Sequence, residues 1–268
     1  MRARLTGPVP SDVGDSVGAM PTPSFDDRKL SFGAAAATYA RFRPGYPAEA
    51  VRWILEAART DVRTVADVGA GTGALTRLLA GLGLDVTAYE PDPGMLEALG
   101  ASLPEVARQV AHAEQLPLAD SAVDAVLVGQ AWHWFDKPAA AAEFVRVVRP
   151  GGVIGMVWNV RDDRVPWMGE LSDLIDGEDS MRSSRADALA QIAEVHPTVE
   201  RRDFPHEVPM TPDEVVGLVS TFSYVRLRED SDDVYAAVRA LLATHPSTAG
   251  RDVVAVPYVT AAYRVPVD

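Results

Sequence analysis

The sequence predicts an α/β fold built on a doubly wound, mostly parallel sheet, with an N-terminal helical cover and a C-terminal helical insertion. Two observations support this prediction. Short apolar runs alternate with helical segments, and no linker rich in Gly or Ser divides the chain. Strands separated by helices at this spacing need crossover connections, which make the strands parallel and place helices on both faces of the sheet.

The segment before the first predicted strand consists of a tail and two helices. Pro and Gly recur among small polar residues in the tail, which predicts that it has no core of its own. Val51, Ile54 and Leu55 share one face of the second helix. The tail, the first helix, a turn of Pro, Gly and Tyr, and the second helix are predicted at 1–30, 31–42, 43–47 and 48–58, and residues 31–268 are expected to form one domain.

The alternation of strands and helices begins after the second helix and supplies the predicted sheet. Asp92 followed by Pro93 marks the start of one of these helices, with Asp as the N-cap and Pro at the first helical position. The pattern is looser in the C-terminal part, where helices precede a last strand-like segment. Predicted strands lie at 64–68, 86–89, 109–111, 122–129, 153–158 and 253–265, and the later helices at 139–148, 170–195, 211–222 and 231–242.

Composition and charge exclude several classes of protein. The chain has 25 basic and 38 acidic side chains, and its net charge of −13 disfavours a nucleic-acid partner because it repels phosphate backbones. It has no Cys, which excludes disulfides, thiolate zinc sites and iron–sulfur clusters, and its five His do not have the spacing of a metal site. No apolar run reaches the ~20 residues of a membrane span, so we expect no membrane partner and a cytoplasmic location.

A glycine-rich loop and an acidic residue at the end of the next strand together predict a nucleoside site. Gly69, Gly71 and Gly73 lie between the first strand and its helix, where the absence of a Cβ lets the backbone approach a ligand closely. Glu90 ends the second strand, where a carboxylate can accept hydrogen bonds from both hydroxyls of a ribose. A nucleoside is therefore expected at the carboxyl edge of the sheet.

The loop alone leaves the identity of that nucleoside open. Gly69, Gly71 and Ala74 satisfy the G-x-G-x-x-[G/A] fingerprint of dinucleotide-binding enzymes, so an NAD(P)-dependent oxidoreductase is one alternative. Asp67, two residues before the loop, places a negative charge where a pyrophosphate would lie, and it suits a cationic ligand instead. Neither Lys of the chain lies four residues after a Tyr, so one common reductase acid/base pair is missing.

Five segments, in the expected order, resemble the motifs of the class I S-adenosylmethionine-dependent methyltransferases. They are 65–73 (VADVGAGTG), Glu90, 111–117 (AHAEQLP), 120–126 (DSAVDAV) and 149–152 (RPGG). The resemblance implies a Rossmann-like fold with S-adenosyl-L-methionine as the cofactor, bound by a core over 64–158. The cofactor-binding residues that it implies are Asp67, Gly69, Gly71, Gly73, Glu90, Met95, Ala113, Glu114, Gln130, Tyr39 and Arg43.

One position departs from the family pattern. Many relatives carry Asp where this chain has His112, and that carboxylate meets the amino group of the adenine. We expect this contact to shift to Glu114 or to the backbone at Ala113.

Further segments resemble small-molecule methyltransferases related to the trans-aconitate methyltransferases. They are 31–39, 43–47, 130–135 and 257–264. In such enzymes the N-terminal helix covers the cofactor, and Tyr39, Arg43 and Tyr46 are expected to contact the cofactor carboxylate or the substrate. The resemblance implies a small-molecule acceptor and no nucleic-acid substrate.

The mechanism implied by the resemblance is direct displacement, in which the protein aligns the acceptor with the S–CH₃ bond. Trp132 and Trp134, just after the fourth strand, are expected to form an aromatic wall at the substrate, and His133 is the candidate for a general base or a donor that positions the acceptor. A carboxylate acceptor would need no base. Two alternatives stay open at this point: an NAD(P)-dependent oxidoreductase on a similar sheet, and a protein that binds the cofactor without catalysis.

Overall fold

The structure, a computed structural model, describes residues 41–176 and 199–268. The predicted tail, most of the first predicted helix and the part of the helix predicted over 170–195 that follows residue 176 lie outside the described residues. The strands are β1 (Thr64–Val68), β2 (Asp85–Glu90), β3 (Ala107–Val110), β4 (Val123–Gly129), β5 (Val148–Arg161), β6 (Glu200–Met210) and β7 (Val254–Pro266). In the described ranges these strands form one sheet in the order β3-β2-β1-β4-β5-β7-β6.

Helices connect these strands. They are α1 (Ala48–Leu55), α2 (Ala74–Gly81), α3 (Pro93–Ser102), α4 (Lys137–Val147), α5 (Pro166–Asp176), α6 (Pro212–Ser220), α7 (Ser223–Arg226) and α8 (Ser231–Thr244), with a 3-10 helix at Trp132–Trp134. The predicted start of α3 is confirmed, because the side chain of Asp92 accepts hydrogen bonds from the backbone N–H groups of Gly94 and Met95. Within the two described ranges, none of the helices combines the length and apolar character that crossing a bilayer requires.

The sheet is parallel in its first five strands, as predicted. β1 pairs in parallel with both β2 and β4, β2 pairs with β3, and β4 pairs with β5. β7 then runs antiparallel to β5, and β6 runs antiparallel to β7. The carboxyl ends of β1, β2, β4 and β5 therefore meet at one edge, where crevices form in sheets of this kind.

Strand β6 is the element that the sequence pattern does not predict. It contains Pro205 and Pro209. Proline has no backbone N–H to donate, so it is unsuited to a central strand, which hydrogen-bonds to a neighbouring strand on each side. β6 is an edge strand, paired only with β7 among the described strands. An edge position tolerates both prolines, so neighbours in the tertiary structure, rather than local preference, make this segment a strand.

Both faces of the sheet are covered, and the C-terminal helices have a core of their own. Ile54 of α1 and Leu79 of α2 pack on one face, and Phe144 of α4 packs on the other. A separate apolar cluster joins α5, α6 and α8 with the ends of β6 and β7. The predicted C-terminal helical region thus packs beside the sheet, close to its carboxyl edge.

Asp124, at the start of β4, connects this strand to the start of β1, at the end of the strands opposite the glycine loop. Its Oδ2 accepts hydrogen bonds from the backbone N–H groups of Arg63 and Thr64, at 2.9 and 2.8 Å, and from the Thr64 hydroxyl. Its Oδ1 pairs with Arg149 at 2.5 Å. Burial alone would raise the pKa of this carboxyl, but the hydrogen bonds that it accepts outweigh burial and lower the pKa to about 2.

We expect Asp124→Asn to lower the free energy of unfolding by roughly 2–4 kcal/mol, because an amide cannot replace a carboxylate toward several donors at once. The contribution of the carboxylate is fully present above the pKa of an unfolded Asp, near 4, and is lost as the pH falls toward 2. Denaturant unfolding of both proteins at neutral and acidic pH measures this difference.

Asp120→Asn is the matched control, because Asp120 pairs with Arg146 at the surface and is largely exposed. Exposed pairs contribute about 0–1 kcal/mol. Equal stability of the Asp124→Asn and Asp120→Asn variants would contradict the role given to Asp124.

Candidate active site

The glycine loop lies at the carboxyl edge of the sheet, between β1 and α2. Gly69, Gly71 and Gly73 have φ values of 69°, 55° and 90°, a left-handed range that favours glycine. A Cβ built on Gly69 would lie against the Cβ of Ala131 and 3.1 Å from the ring of Phe135. A Cβ on Gly71 would have its nearest neighbour 3.7 Å away. Gly69 is therefore needed for the close approach of two loops, while a Cβ on Gly71 would only make an ordinary contact with Met95.

Glu90 faces this loop from the end of β2. Its Oε2 accepts a hydrogen bond from the backbone N–H of Gly71 at 2.9 Å, and its Oε1 accepts one from Asp92 at 3.0 Å. The residue is 7% exposed and lines a cavity beside the loop. The predicted pairing of a glycine corner with a carboxylate at the neighbouring strand end is therefore present.

Two adjoining cavities open at this edge in the described part of the chain, and they share Gly69, Gly71, Gly129 and Gln130. The first, named here the Glu90 cavity, encloses about 600 Å³ including open solvent, and the second, the Asp67 cavity, about 480 Å³. The Glu90 cavity is also lined by Glu90, Pro91, Met95, Ala131, Trp134 and Phe135. The Asp67 cavity is also lined by Arg43, Pro44, Tyr46, Asp67, Ala70, Thr72, Ala74 and Leu75.

Asp67 is a fully buried carboxyl group at the Asp67 cavity. Its Oδ2 accepts a hydrogen bond from the Thr76 hydroxyl at 2.5 Å, while its Oδ1 is buried and has no hydrogen-bond partner among the described residues. The pKa of this carboxyl is raised to about 7, mainly by burial and to a smaller extent by the nearby charge of Glu90, while the hydrogen bond from Thr76 opposes the shift. An unsatisfied buried acceptor of this kind suits a cationic donor entering the cavity.

Gln130 lines both cavities and has an unusual backbone conformation. Its φ of 58° is one of two positive values among the described non-glycine residues. Its backbone N–H donates to the carbonyl of Val157 at 3.0 Å, which holds the turn after β4 against β5. Strained residues of this type cluster at functional sites, and the cofactor contact expected of Gln130 stays a prediction.

The aromatic segment after β4 divides between the Glu90 cavity and the protein core. Trp134 lines the Glu90 cavity, but Trp132 is fully buried and packs against Phe135 and Phe144. Trp132 was expected to line the acceptor site, but its side chain lies in the core and does not line the Glu90 cavity.

His133 is half-buried beside the rings of Trp134 and Trp158, with centroids 4.6 and 5.7 Å away. Its Nδ1 is buried without a hydrogen-bond partner among the described residues. Burial, with the nearby charge of Lys137, lowers the pKa of this imidazole to about 4, so the ring is neutral at neutral pH. His133 is not one of the residues lining the two cavities.

Several predicted contacts lie away from both cavities. A Cβ on Gly73 would lie 2.9 Å from Leu99, so this glycine lets the start of α2 pack on α3. Ala113 is buried, and Glu114 accepts a hydrogen bond from the backbone of Asp136 at 2.8 Å; neither lines the Glu90 or the Asp67 cavity. Tyr39 lies outside the described residues. Arg43 and Tyr46, in contrast, line the Asp67 cavity.

Comparison with known proteins decides between the alternatives left by the glycine loop. The sequence profile of a family described as a methyltransferase domain matches residues 66–156, which span β1 to most of β5. An uncharacterized methyltransferase of Mycobacterium tuberculosis is 44% identical over 243 residues, covering 89% of this chain and 96% of the relative. The chain belongs to the class I S-adenosylmethionine-dependent methyltransferases. The oxidoreductase alternative is set aside, and the chain is an enzyme of the methyltransferase class.

Two further proteins extend this comparison within the methyltransferases. A malonyl-[acyl-carrier protein] O-methyltransferase of Serratia marcescens is 37% identical over 119 residues, covering 42% of this chain and 44% of that protein. A solved structure named as a type II methyltransferase, from Anaeromyxobacter dehalogenans, has 25% identity and a TM-score of 0.65, and covers 84% of this chain and 98% of that one. The solved structure agrees with the predicted fold, and neither name mentions trans-aconitate.

The residues at the two cavities of this methyltransferase fit S-adenosyl-L-methionine, the cofactor of the family. Gly71 and Glu90 line the same cavity, so a ligand there would lie next to the Glu90 carboxylate, which can accept hydrogen bonds from ribose hydroxyls. The Oδ1 of Asp67, which has no partner in the described ranges, offers an acceptor to the positive end of the amino acid.

Sequence reasoning missed three features of the methyltransferase site. Pro91 and Gly129 line the cavities, and their positions directly after Glu90 and at the end of β4 are the signals that could have found them. Asn159, near the end of β5, bonds to the loop that lines the Asp67 cavity. A polar residue directly after the apolar run of the fifth strand is the corresponding signal.

Proposed function

We propose that this methyltransferase transfers a methyl group from S-adenosyl-L-methionine to a small-molecule acceptor by direct displacement. The observation that supports it best is the pair of adjoining cavities at the glycine corner. One cavity has the Glu90 carboxylate on its wall, and the other has Asp67, whose Oδ1 lacks a partner within 41–176 and 199–268. A sulfonium nucleoside has a ribose that suits the Glu90 cavity and an ammonium group that suits the Asp67 cavity.

Each part of the cofactor has a proposed partner in this arrangement. Glu90 binds the ribose, Asp67 binds the ammonium group, and Arg43 binds the carboxylate. The walls between them come from Gly69, Gly71, Met95 and Gln130. The adenine is proposed to extend toward Ala113 and Glu114.

The residues of the chain contribute alignment and exclusion of water rather than bond chemistry. S-adenosyl-L-methionine supplies an activated methyl group on a sulfonium when it is bound. Trp134 and Phe135 give the Glu90 cavity an aromatic wall, which suits a positive charge that is dispersed as the methyl group moves. Holding the acceptor in line can contribute roughly 7–11 kcal/mol.

The acceptor is best found by following labelled methyl groups. We expect purified protein and isotopically labelled S-adenosyl-L-methionine to label a compound in the low-molecular-mass filtrate of a cell extract, detected by mass spectrometry. The Serratia relative makes O-methylation the first chemistry to test. Label found only in the retained macromolecules, or in neither fraction, would contradict a small-molecule acceptor.

We expect His133→Ala to lower kcat by about 100-fold, the lower end of the range for general acid–base groups, and to change the affinity for S-adenosylhomocysteine less than twofold. The imidazole is neutral at neutral pH and its ring lies against that of Trp134, which lines the Glu90 cavity, so we propose that it acts on an acceptor that extends from this cavity as far as His133. Turnover of the labelled acceptor and calorimetric binding measure the two effects.

His245→Ala is the control, because His245 lies at the end of α8 and accepts a hydrogen bond from the backbone of Ser247. Unchanged turnover in folded His133→Ala protein would remove His133 from the mechanism.

A further inference from the structure

Residues 42–46 connect the apolar cluster of the C-terminal helices to the sheet. Within this segment, Arg43, Pro44 and Tyr46 line the Asp67 cavity. At one end, a Cβ built on Gly217 of α6 would lie 2.6 Å from the ring of Phe42. At the other end, a Cβ built on Gly129 would lie 2.8 Å from the hydroxyl of Tyr46. Close contact at both ends fixes where the segment begins and ends, but not how the peptides between them are oriented.

Asn159 holds those peptides. Its side-chain Nδ2 donates to the carbonyl of Gly45 at 2.8 Å and lies 3.5 Å from the carbonyl of Pro44. These are the two carbonyls between Arg43 and Tyr46, which both line the Asp67 cavity.

Thr260 of β7 determines which way the Asn159 amide faces. Its hydroxyl donates to Asn159 Oδ1 at 2.6 Å, and the residue is fully buried. Because an amide presents an acceptor on one side and donors on the other, this bond turns Nδ2 toward the loop. The orientation of the loop is thereby connected to β5 and β7 of the sheet.

We propose that Asn159 is a positioning residue for the amino-acid half of the cofactor. By holding the Pro44 and Gly45 carbonyls, it places Arg43 and Tyr46 on the wall that they share with Asp67. The proposal rests on the cofactor placement proposed above. It assigns a role to a residue that lies outside the glycine loop and outside the acidic strand end.

The test is a comparison of two ligands on the Asn159→Asp variant. Aspartate keeps the shape and the oxygen that Thr260 needs, but it lacks the N–H donors to the two carbonyls. We expect the Kd for S-adenosylhomocysteine to rise about five- to tenfold, the effect of one net hydrogen bond. The Kd for methylthioadenosine, which lacks the amino-acid part, should change less than twofold. A loss of general stability would not separate the two ligands.

Two controls keep the outcomes distinct. Thr248→Val removes a buried hydroxyl that bonds to the carbonyl of Leu242 at 2.9 Å, away from the cavities, and should leave the ratio of the two Kd values unchanged. Glu90→Ala should weaken both ligands together, and its failure to do so would contradict the cofactor placement rather than the role of Asn159.

Equal effects of Asn159→Asp on both ligands, or no effect on either, would overturn the proposal. Should that variant not fold, Thr260→Val removes the bond that orients the amide, and the same separation of the two ligands is expected from it.

Discussion

Glu90→Ala is expected to weaken the binding of S-adenosylhomocysteine by about 100-fold or more. The Glu90 carboxylate is buried and accepts hydrogen bonds from the backbone of Gly71 and of Asp92. Its removal leaves these donors without an acceptor and takes away the proposed contact with the ribose. Hydrogen bonds to a charged group contribute roughly 1.5–3 kcal/mol each. The loss of the two proposed hydrogen bonds from the ribose hydroxyls therefore accounts for a change of this size. Isothermal titration calorimetry measures the affinity.

Glu97→Ala is the matched control, since Glu97 is an exposed carboxylate on the neighbouring helix α3. We expect it to bind S-adenosylhomocysteine as the unmodified protein does. Unchanged affinity in a folded Glu90→Ala protein, checked by circular dichroism, would place the nucleoside elsewhere and would contradict the proposed site.

Asp67→Asn is expected to weaken the same ligand about 10- to 50-fold and to remove a pH dependence. The pKa of the Asp67 carboxyl is raised to about 7, with burial as the main cause. In the ligand-free protein the group therefore binds a proton below that pH, and a cationic ammonium group favours its ionised form. Affinity should accordingly rise as the pH increases from about 5.5 to 7.5, by up to tenfold per pH unit at the acidic end, where each unit is equivalent to about 1.4 kcal/mol.

The raised pKa of Asp67 also affects the free energy of unfolding, which should fall as the pH rises, whereas the affinity for the ligand should increase. A carboxyl group whose pKa is higher in the folded state binds more protons when folded, so it makes the ligand-free protein less stable as the pH rises from about 4 to 7. Asp67→Asn should remove that component, and unfolding experiments across this range measure it.

Thr76→Val provides a separate check. It deletes the hydrogen bond that opposes the raised pKa, so it should move the pH dependence of binding to higher pH rather than abolish it. An affinity that does not vary with pH in the unmodified protein would contradict the role of Asp67.

The fold was predictable as far as local patterns determine it. The strands at β1, β2, β4 and β5 are short apolar runs, and Asp92 with Pro93 marks the start of α3 in sequence and in structure. Strand β6 was not predictable in this way, because its prolines argue against a strand and only the edge position beside β7 accommodates them.

The site was predictable where a position requires one particular residue type, whatever its distant neighbours are. The positive φ values of the glycine loop, and a carboxylate at the end of the adjacent strand, follow from the order of residues in two neighbouring βα units. The roles of the aromatic residues were not predictable, because Trp132 and Trp134 are two positions apart on a 3-10 helix that turns one into the core and the other toward the Glu90 cavity.

By itself, the sequence determined the parallel α/β sheet, the glycine corner and the pairing of that corner with Glu90. The alternation of strands and helices requires parallel strands, and the corner and Glu90 lie in neighbouring βα units. Only the tertiary structure decided which buried groups lack a partner and which distant segments hold the cavity walls. Asp67 Oδ1 has no donor in the part of the chain that the structure describes, and Asn159 donates to the Gly45 carbonyl across more than a hundred residues. Such contacts depend on how strands and helices pack, and no local pattern of residues encodes that arrangement.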